Sequence, residues 1–537
     1  MEGVLLNSAN YVPLSPISFL ERAAFVYGDG ISIMYGATTF TWRETRTRCV
    51  KLASALKSLG ISSGDVVAVV APNVPALYEL HFGVPMVGAV LSTLNTKLDE
   101  LKLASTFEQI EARIVFVDYQ YVESTLKALT LIKVKLPILV VIPEHDQCSE
   151  TPQFYEEFPI GTLDYDQLLS MGDTDFEVTG PSDENCPISI NFTSGSTGKP
   201  KGVVYSHRAA YLASLGQIFR TGLRPGSTFL WTVDMFRCNG WCFTWSMAAL
   251  GGTNICIRSV TTKAMHEAIS LHNITTICGP PSILKTIANC PFEQLATRVD
   301  VFVAGSLPPT HVVEKVKNMG FNLCLAYGMS EALGPVTADN PLINGPHSVT
   351  LEGIHNLMME GVDVKDSKTM VSVPRDGKTI GEVMFKGNIM MLGYLKNHDL
   401  TKKAFQDGWY HTGDLGIRKL DGSIEMKDRA LDIINTEEGT VVSLEVEAVL
   451  ANHPRIDSVA VIGRPTEVGG QRPCAFVKLK EGWELSEDEI ISFCKKVLPD
   501  FKVPTTIVFG DLPMINGAKV QKFILRDRDR KDVLFSS

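Results

Sequence analysis

The run Ile188-Ser189-Ile190-Asn191-Phe192-Thr193-Ser194-Gly195-Ser196-Thr197-Gly198-Lys199-Pro200-Lys201-Gly202 decides how this chain is read. It opens as a short apolar strand and passes into a loop with three glycines, four hydroxyl side chains and two lysines. Glycines let backbone N–H groups come close to an anion, hydroxyls add short donors, and lysines add charge. Together they are the parts of a triphosphate cradle. The loop is not of the Walker A kind, because Pro200 follows Lys199 where a magnesium-binding Ser or Thr would open a helix. From composition alone, a flexible Ser/Gly linker is the competing reading.

Working outward, short apolar runs alternate with helical patterns. Asp65 to Val70, Arg113 to Val117 and Leu136 to Ile142 read as strands, with a helical segment through Leu77 and Leu80. Their continuous apolar character predicts strands covered on both faces, hence layered α/β structure with largely parallel sheets. A boundary is expected near Asp428-Arg429, after the polar turn Leu420-Asp421-Gly422-Ser423. Beyond it Val459 to Ile462 and Ala475 to Lys478 read as strands. Ser486 to Val497 reads as a helix with acidic residues in its first turn, where the helix dipole favours them. At 537 residues the chain has room for one large unit and one small one.

Composition excludes several classes. Net charge is −10, with 45% hydrophobic and 20% charged residues, so no basic face for nucleic acid is expected. A polyanionic ligand must then be held by local donors, a metal and a few cations. Eleven cysteines from Cys49 to Cys494 include no CxxC pair, which suits a reduced intracellular protein. Pro72, Pro75, Pro85 and Gly88 interrupt the most apolar region, so no membrane span is expected. With no secretory leader pattern and no Ser-Lys-Leu terminus, the expectation is a cytoplasmic protein.

Thr193 to Gly202 resembles the signature loop of the acyl-CoA synthetase, luciferase and adenylation-domain superfamily, and the resemblance runs along essentially the whole chain. Ala9 to Leu14, Phe40-Thr41-Trp42 and Cys238-Asn239-Gly240-Trp241-Cys242-Phe243 are most similar to plant acyl-activating enzymes such as benzoate and cinnamate CoA ligases. The resemblance implies a large N-terminal α/β domain (1–428) with a β-barrel-like subdomain. A hinge at 429–432 and a small mobile α+β domain (433–537) would follow. It also implies ATP, magnesium and coenzyme A, a small carboxylic acid as substrate, and a monomer or homodimer.

Residue by residue, Thr193, Ser194, Gly195, Ser196, Thr197, Gly198 and Lys199 would hold the phosphates. In Tyr327-Gly328-Met329-Ser330-Glu331, similar to the family's Tyr-Gly-x-Thr-Glu, Tyr327 would stack on the base. Ser330 would bind phosphate, and Glu331 would ligate magnesium. Asp414, in Trp409 to Gly416, would accept from both ribose hydroxyls as an ionised carboxylate can, with Arg429 as a second ribose contact. Gly305-Ser306 would form the turn beside adenine. Lys519, in a stretch similar to the family's Gly-Lys-Ile-x-Lys, would bridge the carboxylate and the α-phosphate, relieving the repulsion of two anions. Trp241, Phe243, Gly279, Pro280 and Ala326 would shape the acyl pocket, with Trp245 beside them.

The sequence also departs from the family. Arg237 stands where relatives carry a histidine, and either a second anionic group on the acid or a phosphate of coenzyme A fits a guanidinium there. Leu431 replaces the polar hinge residue, Glu437-Glu438 replace a glycine pair beside the pantetheine path, and Met514 and Ala518, before Lys519, stand where relatives carry a lysine and a glycine. The expectation is therefore an acid:CoA ligase. An adenylating enzyme with another acceptor and a non-catalytic nucleotide-binding homologue are the alternatives.

Overall fold

The computed structural model describes all residues except 1–4, 6, 145–161, 194–199, 293, 296, 306–307, 339–351, 467–469, 516–518 and 536–537. Its first framework is an eight-stranded sheet centred on Val66–Val70 and Val90–Thr93, which pair in parallel with Val67 opposite Leu91. Ile114–Asp118 and Ile138–Ile142 extend it in parallel on one side, and Pro187–Thr193 on the other. These are the valine- and isoleucine-rich runs of the sequence. They are buried almost throughout because helices such as Trp42–Ser58 and Glu100–Ile110 cover the sheet's faces.

The second framework is a thirteen-stranded sheet. Its parallel core runs through Thr228–Trp231, Thr276–Gly279, Val299–Ala304 and Phe321–Met329. It then turns antiparallel through Gly334–Ala338, Glu352–His355, Ile424–Arg429, Tyr410–Arg418, Gly381–Gly387 and Met359–Lys365. This antiparallel run lies where the resemblance implies a barrel-like subdomain, and it is continuous with the parallel core.

The C-terminal residues build a separate, smaller core. Ile434, Val446, Leu450, Val461, Val477 and Ile490 pack together around Ile456–Pro465 and Gln471–Leu479. The helix Glu487–Lys495 starts at a capping box between Ser486 and Glu489. No helix among the described residues is long and apolar enough to cross a membrane.

Candidate active site at the strand ends

Parallel α/β sheets gather ligands beyond the carboxyl ends of their strands. Here Gly279, Ala304-Gly305 and Ala326 to Met329 end three adjacent strands, with Gly279 opposite Val303 and Ala304 opposite Ala326. Gly328 sits where the return strand presses in. A Cβ on it would lie 2.1 Å from the carbonyl oxygen of Gly334, so only glycine allows that close approach.

Four predicted residues meet at these ends. The Tyr327 hydroxyl donates to Oδ2 of Asp414 at 2.7 Å, and Arg429 Nε lies 3.3 Å from Asp414 Oδ1. Asp414 and Arg429 are cross-strand partners in the hairpin that Leu420 to Ser423 closes, so the turn's register brings the carboxylate to the guanidinium. Burial, and then the charge of Asp414, pushes the Tyr327 phenol well above its ordinary range and keeps it a donor. Glu331 follows the same strand, and its Oε1 accepts from the Tyr394 hydroxyl at 2.9 Å. Tyr394 in turn lies under the Lys201 ammonium, 5.3 Å from the ring centroid. Burial, then the neighbouring Glu331 charge, raises the Tyr394 and Tyr410 phenols as well.

The Ser330 carbonyl accepts from Tyr205 at 2.7 Å, and its hydroxyl accepts from the Cys238 thiol at 3.3 Å. Thr193 ends a strand opposite Lys201, so the strands on either side of the phosphate-type segment pair antiparallel. Ser194, Gly195, Ser196, Thr197, Gly198, Lys199 and Ser306 lie outside the described residues. Lys519 pairs through its backbone with Ile515, and its side chain also lies outside what is described.

Trp241 packs on Ala304, Ala326 and Ala338, three methyl groups on neighbouring rungs, with Cys324 beside them. Trp241 is presented by an uncommon backbone. Cys238, Asn239, Gly240, Trp241 and Cys242 all have positive φ, from 44° to 63°. Left-handed geometry costs about 1–2 kcal/mol for each residue that carries a Cβ, so the surroundings must fix the turn. Asn239 does much of this: its Oδ1 accepts from Ser189 Oγ (2.7 Å) and Asn191 Nδ2 (3.0 Å). Its N–H donates to Asn191 Oδ1 (2.8 Å), and its carbonyl accepts from Thr244 (2.7 Å).

Phe243 is placed in the core, stacked on Phe229 with centroids 4.5 Å apart, and Trp245 is buried as well. Pro280 starts the turn into Ser282–Ala288, its carbonyl accepting from Ile283 N–H at 2.9 Å. Arg237 is already matched, paired with Asp234 at 2.9 Å and lying over the Phe236 ring. The sequence reading passed over Tyr394, Tyr205 and the Asn239 lock. No local pattern marks them, because their partners lie 63, 125 and about 50 residues away in the chain.

Glu331 fits a hard cation. Its carboxylate has a phenol donor and, among the described residues, no cationic partner. No group of three or more His, Cys, Asp or Glu able to hold a metal occurs among the described residues, so an ion here would need oxygens from a phosphate ligand.

Comparison with known proteins identifies the family. An acetate–CoA ligase of Humulus lupulus is 42% identical over 548 residues, covering 98% of this chain and 96% of that protein. A peroxisomal trans-cinnamate:CoA ligase of Petunia hybrida is 40% identical over 554 residues, with 98% and 96% covered. The crystal structure of an anthranilate CoA ligase with anthranoyl-AMP shares the fold at a TM-score of 0.85 and 22% identity, with 98% and 100% covered. Residues 20–395 match the AMP-binding enzyme family and residues 445–519 its C-terminal domain, so this chain belongs to the AMP-binding enzymes.

Proposed function

We infer that this protein is an ATP-dependent carboxylic acid:CoA ligase that forms an acyl-adenylate and then an acyl-CoA, releasing pyrophosphate and AMP. The observation that carries the reading is the meeting of Tyr327, Asp414 and Arg429 at the strand ends, beside a Glu331 carboxylate that has no cationic partner among the described residues.

In the first half-reaction an acid oxygen attacks the α-phosphorus and pyrophosphate leaves, so the protein's task is positioning and charge neutralisation. Asp414 accepts from the ribose hydroxyls with Arg429 alongside, Tyr327 and the Gly305-Ser306 turn flank the base, and Ser330 and the Thr193 to Lys199 loop hold phosphate. Magnesium, when bound at Glu331, supplies positive charge to the phosphates. Lys519 bridges the two anions. In the second half-reaction the CoA thiol displaces AMP from the acyl carbon. Gly279, Pro280, Ala326 and Trp241 enclose the acyl group, and Phe243 supports them from the core.

A hinge at 429–432 between residues 1–428 and 433–537 belongs to the same proposal. Asp428 Oδ2 accepts from Ser443 N–H at 2.6 Å, and Arg526 donates to the Leu431 carbonyl at 2.9 Å and pairs with Asp432. These contacts support a turning point held from both sides. Leu431 and Glu437-Glu438 are exposed, which leaves the CoA path open to the two carboxylates. Location in the cytoplasm and a monomeric or homodimeric state are also proposed, although some relatives carry names that place them in peroxisomes.

Pyrophosphate release across a panel of acids, with and without CoA and with mass spectrometry of the products, tests the reading. Acid-dependent release with acyl-CoA formation is expected. Acyl-AMP or another conjugate as the end product would assign a different acceptor, and silence across the panel would leave only nucleotide binding.

A further inference from the structure

Tyr394 touches two residues of the phosphate side at once, Glu331 with its hydroxyl and Lys201 with its ring face. The short strand Gly393–Tyr394 pairs antiparallel with Val204 and Val203, on the strand that follows the phosphate-type segment. Leu392 N–H donates to the Val204 carbonyl at 2.8 Å and Leu395 N–H to the Gly202 carbonyl at 2.7 Å, so both flanks of the tyrosine are fastened. Another tie runs to Glu331 itself, whose carbonyl accepts from Met391 N–H at 2.8 Å. The phenol is thus carried on backbone that is bound to the phosphate-side strand and to Glu331 together.

A carboxylate only accepts hydrogen bonds, so the proton between Tyr394 and Glu331 belongs to the phenol. The Tyr394 oxygen can then accept from the Tyr410 hydroxyl, 3.4 Å away, and the Tyr410 ring is fixed against Phe385 and Phe405. Burial keeps both phenols protonated. Tyr394 is buried, whereas Glu331 is only half-buried, and water could satisfy its carboxylate without help. What the phenol adds is direction. It fixes Oε1, while Oε2 takes no hydrogen bond or ion pair among the described residues. Lys201, over the ring face, likewise has no carboxylate partner among the described residues. One side chain therefore holds a carboxylate at its hydroxyl and an ammonium on its face, and the two opposite charges stay unpaired with each other.

Resting on the proposed ligase function, we propose that Tyr394 is a positioning residue for Glu331, presetting its carboxylate for the divalent cation that arrives with the triphosphate. A carboxylate that must be ordered on binding gives up side-chain entropy at that moment, and one already held by a buried donor does not. The ring face meanwhile holds the Lys201 ammonium apart from Glu331, so that the carboxylate is left for a cation and the ammonium for phosphate. The Tyr394 hydroxyl touches neither substrate nor reacting atoms. Its effect runs through Glu331 alone.

The test is calorimetric binding of ATP in the absence of acid, in magnesium and in EDTA, with AMP as a ligand that needs no metal. The wild-type protein should bind ATP more tightly in magnesium. Tyr394→Phe, which removes one oxygen and keeps the ring, should cut that magnesium advantage roughly 10-fold, the scale of losing an outer partner of a metal ligand. Its Kd for AMP, and for ATP in EDTA, should not change. Glu331→Gln should abolish the advantage, and adding Tyr394→Phe to it should leave every Kd where Glu331→Gln alone puts it. That double variant decides the matter if the phenylalanine variant does not fold, because the amide leaves no charge for the phenol to match. A magnesium advantage that Tyr394→Phe leaves intact while Glu331→Gln removes it overturns the proposal and leaves the ligase reading standing. An equal loss of AMP binding in Tyr394→Phe, or a double variant weaker than Glu331→Gln alone, does the same. No magnesium advantage in the wild-type protein, or one that survives Glu331→Gln, would overturn the proposal together with the metal site it serves.

Discussion

Tyr327, Asp414 and Arg429 meet through ordinary extended strands, whereas Trp241 reaches its alanine floor from five successive residues with positive φ. On the nucleotide side, sheet register alone delivers the groups. On the acyl side, a turn of high intrinsic cost is held by a buried asparagine and by close packing. Binding a ligand common to a whole family needs only what a sheet provides. Fitting one acid requires a wall whose shape is set by strain, and such a wall is open to change at few positions.

The largest effect is expected at Lys519, the proposed bridge between acid and nucleotide. Lys519→Ala should leave nucleotide and acid binding nearly intact and lower acid-dependent pyrophosphate release by roughly 10²–10³-fold, the scale of losing one preorganised donor to developing charge. Equal loss of ATP affinity would mean that Lys519 belongs to nucleotide binding and not to the bridge between the substrates.

Next comes the acyl wall itself. Gly240 has φ of 61°, and a Cβ there would lie 2.6 Å from Trp231 Cζ3. Gly240→Ala should therefore cost about 2–4 kcal/mol from strained backbone and overpacking combined. That should appear as a lowered melting temperature with a raised KM for the acid. A fully stable variant with normal acid kinetics would show that the turn relaxes freely, and the contrast between the sides would fail.

Asp414→Ala probes the nucleotide side, where no strain is stored. The expected loss is about 10- to 100-fold in kcat/KM for ATP, from charge-assisted hydrogen bonds to the ribose, with little change in melting temperature. The Tyr327 hydroxyl and Arg429 would lose their partner, but both lie near the cleft, where water can replace it. A large loss of stability would instead make the cluster a structural clasp.

The same contrast explains what could be read beforehand. The valine-rich strands, the Ser486 cap and the hairpin at 420–423 follow from local pattern. Asp414, Arg429 and Glu331 stand in contiguous motifs whose residue types match their chemistry. Arg237 illustrates the limit of such reading: its pairing with Asp234, three residues away, depends on side-chain geometry. The left-handed turn was equally hidden, because four of its five residues carry side chains that prefer other backbone conformations.

The smallest effect is one of pH. Two imidazoles are enclosed in the interior, His81 and His207. His81 lies edge-on to Trp245 with centroids 6.0 Å apart, and its Nδ1 is 2.7 Å from the Leu77 carbonyl. His207, which opens the helix His207–Thr221, is hydrogen-bonded to Ser15 at 2.9 Å. Burial lowers both to about 4. Unfolded, each would take up a proton near pH 6.5, so between these values the unfolded chain binds more protons than the folded one. Their contribution to stability is complete above about pH 6.5 and falls by roughly 1.4 kcal/mol per histidine for each pH unit below it, until about pH 4. Urea unfolding at pH 7.5 and 5.5, followed by tryptophan fluorescence, should register that loss. His207→Gln should remove about half of the histidine part, because glutamine has no proton to gain. An unchanged difference between the two pH values in that variant would mean that His207 is already protonated, or already wet, in the folded protein. The neutral imidazole would then contribute nothing to the pH dependence of stability.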